Sequence, residues 1–394
     1  MRPGRLKNAG MGNVCRMSSA CQKRLRVSFL IHRPSMSGGA RVIARYARML
    51  KDNGHEVFLT GLGAPRMSWK TRVKGLFGLA QKWRPSPSHY ALEGLDVRLI
   101  DGRSRLEAAD LPDADVTVAT FWLTAEWLPD LPPEKGAKVY FVQHHEADFP
   151  HADRQRAEAT YRGNSRIIAV SSWIVGVLAE KYGRTDAALV LNAVDAAHFA
   201  PRADRRKQAR PTVGFMGSRN ATKRVDVAVR ACEILKESFP DLRVRVLAAQ
   251  PPNGAYVMHP WFDPEYNPSQ ERLAALYAEC DVWLFTSDIE GYGLPLLEAL
   301  ASGTPLVARP AGAAPDLVTP SNGALVDSDD PAMIAAAAAR ILSKAPDDWK
   351  KMSDAALASA RVHDWNRSFE KFEAALCAAA EGNWPPSPAA APSP

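Results

Sequence analysis

From Leu25 onward, short apolar runs alternate with stretches of helical periodicity, and the alternation stops and restarts once. A chain patterned this way is confined to parallel sheets covered by helices on both faces. Parallel strands need a crossover, and a strand buried on both faces reads as a continuous apolar run. Strands are expected at 25–31, 56–60, 97–100, 116–120, 138–142, 166–170 and 188–191, and a second set at 212–216, 243–248, 281–285, 305–308 and 324–326. The polar, basic and proline-bearing segment 196–211 between the two sets reads as a linker. With 394 residues, each half can bury its own core. The expected fold class is α/β: two Rossmann-like doubly wound domains, 25–195 and 212–365, facing across a cleft, with a last helix over 366–381. Open sheets of this kind bind ligands beyond the carboxyl ends of their strands, so function is expected in the cleft.

Charge narrows the partners. The formal net charge is +7, and Arg2, Arg5, Lys7, Arg16, Lys23, Arg24 and Arg26 alone account for it. The rest of the chain is balanced, which argues against nucleic acid as a partner. Residues 1–24 read as a basic, disordered arm and 382–394 as a disordered Pro/Ala/Ser tail. No apolar core follows the basic start as a secretory signal requires, and no run approaches the length of a membrane span. The five cysteines are odd in number and scattered, with no C-x-x-C spacing. That pattern predicts reduced thiols, a cytoplasmic setting and no zinc site.

The richest segment is 286–306, TSDIEGYGLPLLEALASGTPL. The run 281–285 reads as a buried strand, Gly291 and Gly293 make a turn that lets a ligand approach the backbone, and Pro295 suits a first helical turn. A helix start exposes unpaired N–H groups and partial positive charge, which attract phosphate. Glu290 lies on the turn. Glu298, about one turn into the helix, leans back toward the same mouth because helical side chains point N-terminally.

This string, with its E-x7-E spacing, resembles the retaining glycosyltransferases of family 4, whose motif sits in an EGFGLPxLEAxAxGTPVV context. The resemblance covers roughly residues 25–380 and implies the GT-B architecture, with the final helix crossing back to the first domain. It also implies a retaining, metal-independent hexose transfer from a nucleotide diphosphate sugar to a glycan or lipid-linked acceptor, as in cell-surface polysaccharide synthesis. By that analogy Glu298 binds ribose hydroxyls and Glu290 holds donor-sugar hydroxyls. Gly291, Tyr292, Gly293 and Leu294 border the donor, with the N–H groups of the last two facing its diphosphate. An epimerase of the same architecture and a non-catalytic nucleotide-sugar-binding subunit are the alternatives. A nicotinamide oxidoreductase fits worst, since neither half has the glycine fingerprint followed by an acid.

Other segments complete the expected site. Gly217-Ser218-Arg219-Asn220-Ala221-Thr222-Lys223-Arg224 follows the first strand of the second domain, and its turn and cations suit a diphosphate. The family pattern is G-R-x4-K-G. Lys223 falls in place, Ser218 stands where the arginine belongs, and Arg219 and Arg224 are its alternative substitutes. In the first domain Gly38 and Gly39 form a turn before a helix, where a donor or acceptor can come close. His144 and His145, in YFVQHHEADF, point different ways, and one of them is expected in the cleft as a catalytic or sugar-binding group. Residues 66–84 interleave Arg66, Lys70, Arg72, Lys74, Lys82 and Arg84 with Trp69, Phe77 and Trp83. That mixture suits an anionic membrane surface or a lipid-linked acceptor on the cytoplasmic face, with a packed surface helix as the plainer reading.

Overall fold

The computed structural model describes residues 23–65, 87–149, 151–200 and 205–384. The arm before residue 23, the basic-aromatic segment 66–84 and the tail from 385 lie outside the described residues. Two parallel sheets carry the fold. The first contains β1 (Arg26–Ile31), β2 (Glu56–Leu62), β3 (Arg98–Ile100), β4 (Val116–Ala119), β5 (Ala137–Val142), β6 (Arg166–Ala169) and β7 (Ala188–Leu189), in the order β3-β2-β1-β4-β5-β6-β7. The second contains β8 (Thr212–Gly217), β9 (Arg243–Ala248), β10 (Phe262–Tyr266), β11 (Val282–Phe285), β12 (Leu306–Ala308) and β13 (Gly323–Leu325), in the order β10-β9-β8-β11-β12-β13. Each order reverses direction at its first strand, β1 or β8, which creates a crevice at the strand ends. Both crevices open onto the interdomain gap.

The strand β10 departs from the sequence expectation. Its run FDPEY carries a proline and two acids and has no apolar periodicity, so it reads as a loop. As an edge strand it tolerates Pro264, and its register beside β9 sets Asp263 opposite Arg245, with Glu265 two residues further along the same face. Arg245, 4% exposed, reaches Glu265 at 3.0 Å and Glu279 at 3.2 Å and also pairs with Asp263. Arg272 grips Glu265 at 2.8 Å and Glu279 at 2.7 Å. Charge pairing here does what apolar alternation does in the inner strands.

The C-terminal helix Trp365–Glu381 follows the second domain but packs on the first. Phe372 stacks on Tyr46 with centroids 4.3 Å apart and meets Phe141 of β5 at 5.2 Å. Its buried Glu373 accepts from Asn53 Nδ2 at 2.5 Å and from His55 Nε2 at 2.7 Å. His55 Nδ1 accepts the Leu25 N–H at 3.0 Å, so Nε2 is the protonated nitrogen that donates to Glu373. Cys232 and Cys280 are buried free thiols, whereas Cys377 is disulfide-bonded, which corrects the expectation of reduced thiols at that position. Among the described residues, no helix is long and apolar enough to cross a membrane.

Candidate active site in the interdomain cleft

The helix Leu294–Ala301 opens directly into the cleft. Gly293 precedes it with φ 85°, a left-handed backbone that glycine adopts without strain. A Cβ there would also sit 2.9 Å from the Phe285 ring. The preceding turn is pressed against the first domain: a Cβ on Gly291 would lie 1.8 Å from the Gln143 carbonyl oxygen. Ser171 Oγ donates to the Gly291 carbonyl at 2.7 Å, and Tyr292 Oη donates to the Asn192 carbonyl at 2.8 Å. Asp316 accepts the Ser172 N–H at 3.1 Å, adding another hydrogen bond across the gap.

The Ala221–Lys223 turn is fastened to the end of β11. Thr286 Oγ1 donates to the carbonyls of Lys223 at 3.1 Å and Arg224 at 2.9 Å, and the Asp288 N–H donates to the Thr222 carbonyl at 2.9 Å. That fastening brings the Lys223 ammonium into an ion pair with the Glu290 carboxylate. Two residues 67 apart in sequence thus share one wall of the cleft.

Neither proposed substitute for the missing arginine lines that wall. Arg219 is exposed and donates to the Pro251 carbonyl at 2.9 Å. Arg224 has φ 46° and is spent on Asp226 and Asp288, each at 3.2 Å. Arg309, which no motif marks in the sequence, pairs with the same Asp288. Gly217 ends β8 deeper inside, where a Cβ would meet Tyr256 Oη at 2.3 Å.

From the first domain, Ser37 caps the helix Gly38–Asp52 by accepting the Ala40 N–H at 3.2 Å. Gly38 faces Leu294 of the opposite domain, with 3.6 Å between its would-be Cβ and Leu294 Cδ1. Gln143 Nε2 donates to the Gly39 carbonyl at 3.2 Å. The structure separates the two histidines. His144 lines the cleft, its ring 4.6 Å from that of Phe149, and burial lowers its pKa so that the neutral imidazole is favoured. His145 is 1% exposed, held between Asp148 Oδ2 and Tyr182 Oη at 2.6 Å each, and does not line the cleft. The expectation that His145 could serve there is corrected. Adjacent residues on an irregular turn project apart, and only the fold decides which faces the gap.

The cavity these groups enclose has a volume of about 800 Å³, ample for a nucleotide sugar. Lys223, Glu290, Tyr292, Gly293, Leu294 and Glu298 line it from the second domain, and Gly38, Gly39, Arg41 and His144 from the first. Glu298 is 6% exposed; it accepts from Tyr277 Oη at 3.0 Å and Arg41 Nη1 at 3.3 Å. Burial pushes its carboxyl pKa up, and Arg41 opposes that shift. Glu146 reaches the cavity floor, fully buried, accepting the Trp122 N–H at 2.5 Å and Tyr140 Oη at 2.8 Å. Its pKa is raised by burial to about 8. Arg41 and Tyr277 carried no readable sequence signal, since an arginine and a tyrosine inside amphipathic helices look like ordinary surface and core residues. Among the described residues, no cluster of three or more His, Cys, Asp and Glu side chains is placed to hold a metal ion.

Residues 210–344 match the family model described as Glycosyl transferases group 1. Over 178 residues the chain is 32% identical to a D-inositol 3-phosphate glycosyltransferase of Corynebacterium diphtheriae, covering 41% of each chain. Over 308 residues it is 28% identical to the protein of the same description from Salinispora arenicola, covering 66% of this chain and 67% of that one. The chain therefore spans about two fifths of the length of the first of these relatives. Its fold superposes with a TM-score of 0.67 on HepE of Anabaena in complex with UDP and glucose, at 16% identity, covering 89% of this chain and 98% of that chain.

Proposed function

With residues 210–344 matching the model of the group 1 glycosyl transferases and the described residues folded as two facing parallel-sheet domains of the GT-B kind, we propose that this protein is a retaining, metal-independent glycosyltransferase. It moves a hexose from a nucleotide diphosphate sugar to a glycan or lipid-linked acceptor. The observation that carries the proposal is the meeting of Lys223 and Glu290 at the open N-terminus of the Leu294–Ala301 helix, with Glu298 in the same cavity.

In this reading the diphosphate lies between the Lys223 ammonium and the N–H groups of Gly293 and Leu294. These donors face the charge that develops as the glycosidic bond to phosphate breaks. The Lys223–Glu290 pair opens on binding, which frees Glu290 to accept from donor-sugar hydroxyls, and Glu298 takes the ribose hydroxyls. Lys223 and the helix terminus together neutralise the leaving group, so no divalent metal is required. The first domain receives the acceptor. Phe121 and Phe149, with centroids 6.4 Å apart, and His144 offer flat apolar faces and a neutral imidazole, a surface suited to a sugar ring. Retention follows from same-face attack, in which the departing phosphate takes the acceptor proton.

The test is incubation with labelled UDP-, GDP-, ADP- and dTDP-sugars and a lipid-linked oligosaccharide. Transfer with the anomeric configuration kept supports the proposal. An isomerised free donor indicates an epimerase, and tight binding without turnover a non-catalytic subunit. Association with anionic membranes through residues 66–84 belongs to the same proposal; charge-neutralised variants that still sediment with anionic vesicles would refute that part.

A further inference from the structure

Arg41 lines the cleft from the first domain although no motif marks it. The Gly38–Asp52 helix begins at the carboxyl end of β1, and side chains near a helix start lean toward its N-terminus, so Arg41 extends back across the gap. Its Nη1 donates to Glu298 Oε1 at 3.3 Å, bridging 257 positions of sequence. Glu298 Oε2 accepts from Tyr277 of its own domain. A carboxylate has about four lone-pair directions, so with Tyr277 and Arg41 in place it can still accept two further hydroxyl donors. The Glu298 side chain is 7% exposed and that of Arg41 30%. A carboxylate so buried favours its neutral form unless a cation stands beside it, and a neutral acid is a poor acceptor for two hydroxyls. The cation hydrogen-bonded to Glu298 comes from the opposite domain.

We propose that Arg41 is a positioning residue for the nucleoside end of the donor. It holds Glu298 ionised and aimed, and it thereby makes full nucleotide affinity depend on a side chain supplied across the cleft. The proposal rests on the reading in which Glu298 accepts from ribose. Arg41 acts on the ribose through Glu298 and does not touch the diphosphate, which Lys223 and the helix terminus hold.

The experiment compares Arg41→Gln, Arg41→Lys, Glu298→Gln and the Arg41→Gln/Glu298→Gln double variant by calorimetry. The probes are inorganic pyrophosphate, which lacks a ribose, and whichever of UDP, GDP and ADP stabilises the wild type most. Arg41→Gln should weaken the nucleoside diphosphate about tenfold, the size of one charge-assisted hydrogen bond, and Arg41→Lys should retain part of the affinity. The double variant should bind no more weakly than Glu298→Gln alone, since the two residues act as a unit. Pyrophosphate affinity should not move. If Glu298→Gln weakens the nucleotide and Arg41→Gln does not, the proposal is overturned. An equal loss for pyrophosphate overturns it as well, because Arg41 would then contact phosphate directly. If Glu298→Gln itself leaves nucleotide binding intact, the ribose role of Glu298 is what fails, and the assignment of Arg41 falls with it.

Discussion

Lys223 and Glu290 neutralise one another on one wall of the cleft, so each keeps the other in place; in the proposed function a ligand carrying both anionic and hydroxyl groups separates them. Lys223→Ala should lower kcat by about a hundredfold to a thousandfold, comparable to deleting an oxyanion donor, as read in steady-state transfer with donor and acceptor saturating. Lys223→Arg should recover little, because a planar guanidinium does not replace a compact ammonium at one point. The neighbouring histidines should part in the same assays. His144→Ala should reduce turnover with little change in melting temperature. His145→Ala leaves Asp148 and Tyr182 without their shared partner and should lower the melting temperature by several degrees, with nucleotide affinity intact. Gly291 tolerates no side chain: Gly291→Ala drives a methyl into the Gln143 carbonyl. It should push the domains apart, visible as an increased radius of gyration in solution scattering.

At the scale of elements, the cleft is built by fastenings outside the motifs themselves. The Ala221–Lys223 turn is placed by Thr286 and Asp288 from the end of β11, and the Trp365–Glu381 helix ties the chain's last segment to its first domain. Glu373 is the polar centre of that tie. Glu373→Ala strips the Asn53 and His55 donors of a buried acceptor, at a cost of about 3 kcal/mol, as measured by the denaturant midpoint at unchanged m-value. The sequence displayed this helix by its periodicity but not its destination, because a helical pattern states that one face is buried without stating against what. Its contacts with Tyr46 and Phe141 supply that answer. The strand β10 was illegible for a related reason: an edge strand stabilised by Arg243, Arg245 and Arg272 against Asp263, Glu265 and Glu279 lacks the alternation that marks a strand.

For the whole molecule, two buried acids, Glu146 and Asp281, contribute a dependence of stability on pH. Burial raises Glu146 from 4.5 to about 8 and Asp281 from 3.8 to about 6. Each binds its proton more tightly in the folded than in the unfolded chain. The stability they contribute is therefore complete below pH 3.8 for Asp281 and pH 4.5 for Glu146, and it is lost as pH rises through about 6 and about 8 respectively. Glu146→Gln keeps an oxygen that accepts from Trp122 and Tyr140 but cannot ionise. It should flatten the decline between pH 5 and pH 8 and leave the variant more stable than wild type at pH 8 by a few kcal/mol, measured by urea titration at each pH. Binding of a matching nucleoside diphosphate should raise the melting temperature of the wild type in proportion to the logarithm of its concentration, an effect that Lys223→Ala should weaken.

The chain's own letters determined the two α/β halves and the strand-turn-helix around Glu290 and Glu298. Those features are written in local periods and in glycine and proline at fixed offsets, which act over a few residues. Only the tertiary structure decided that His144 and not His145 enters the cleft, that Arg219 and Arg224 turn away from it, and that Arg41 completes Glu298. Each depends on the relative placement of segments tens to hundreds of residues apart, and that placement comes from the packing of whole domains, which no local spacing encodes.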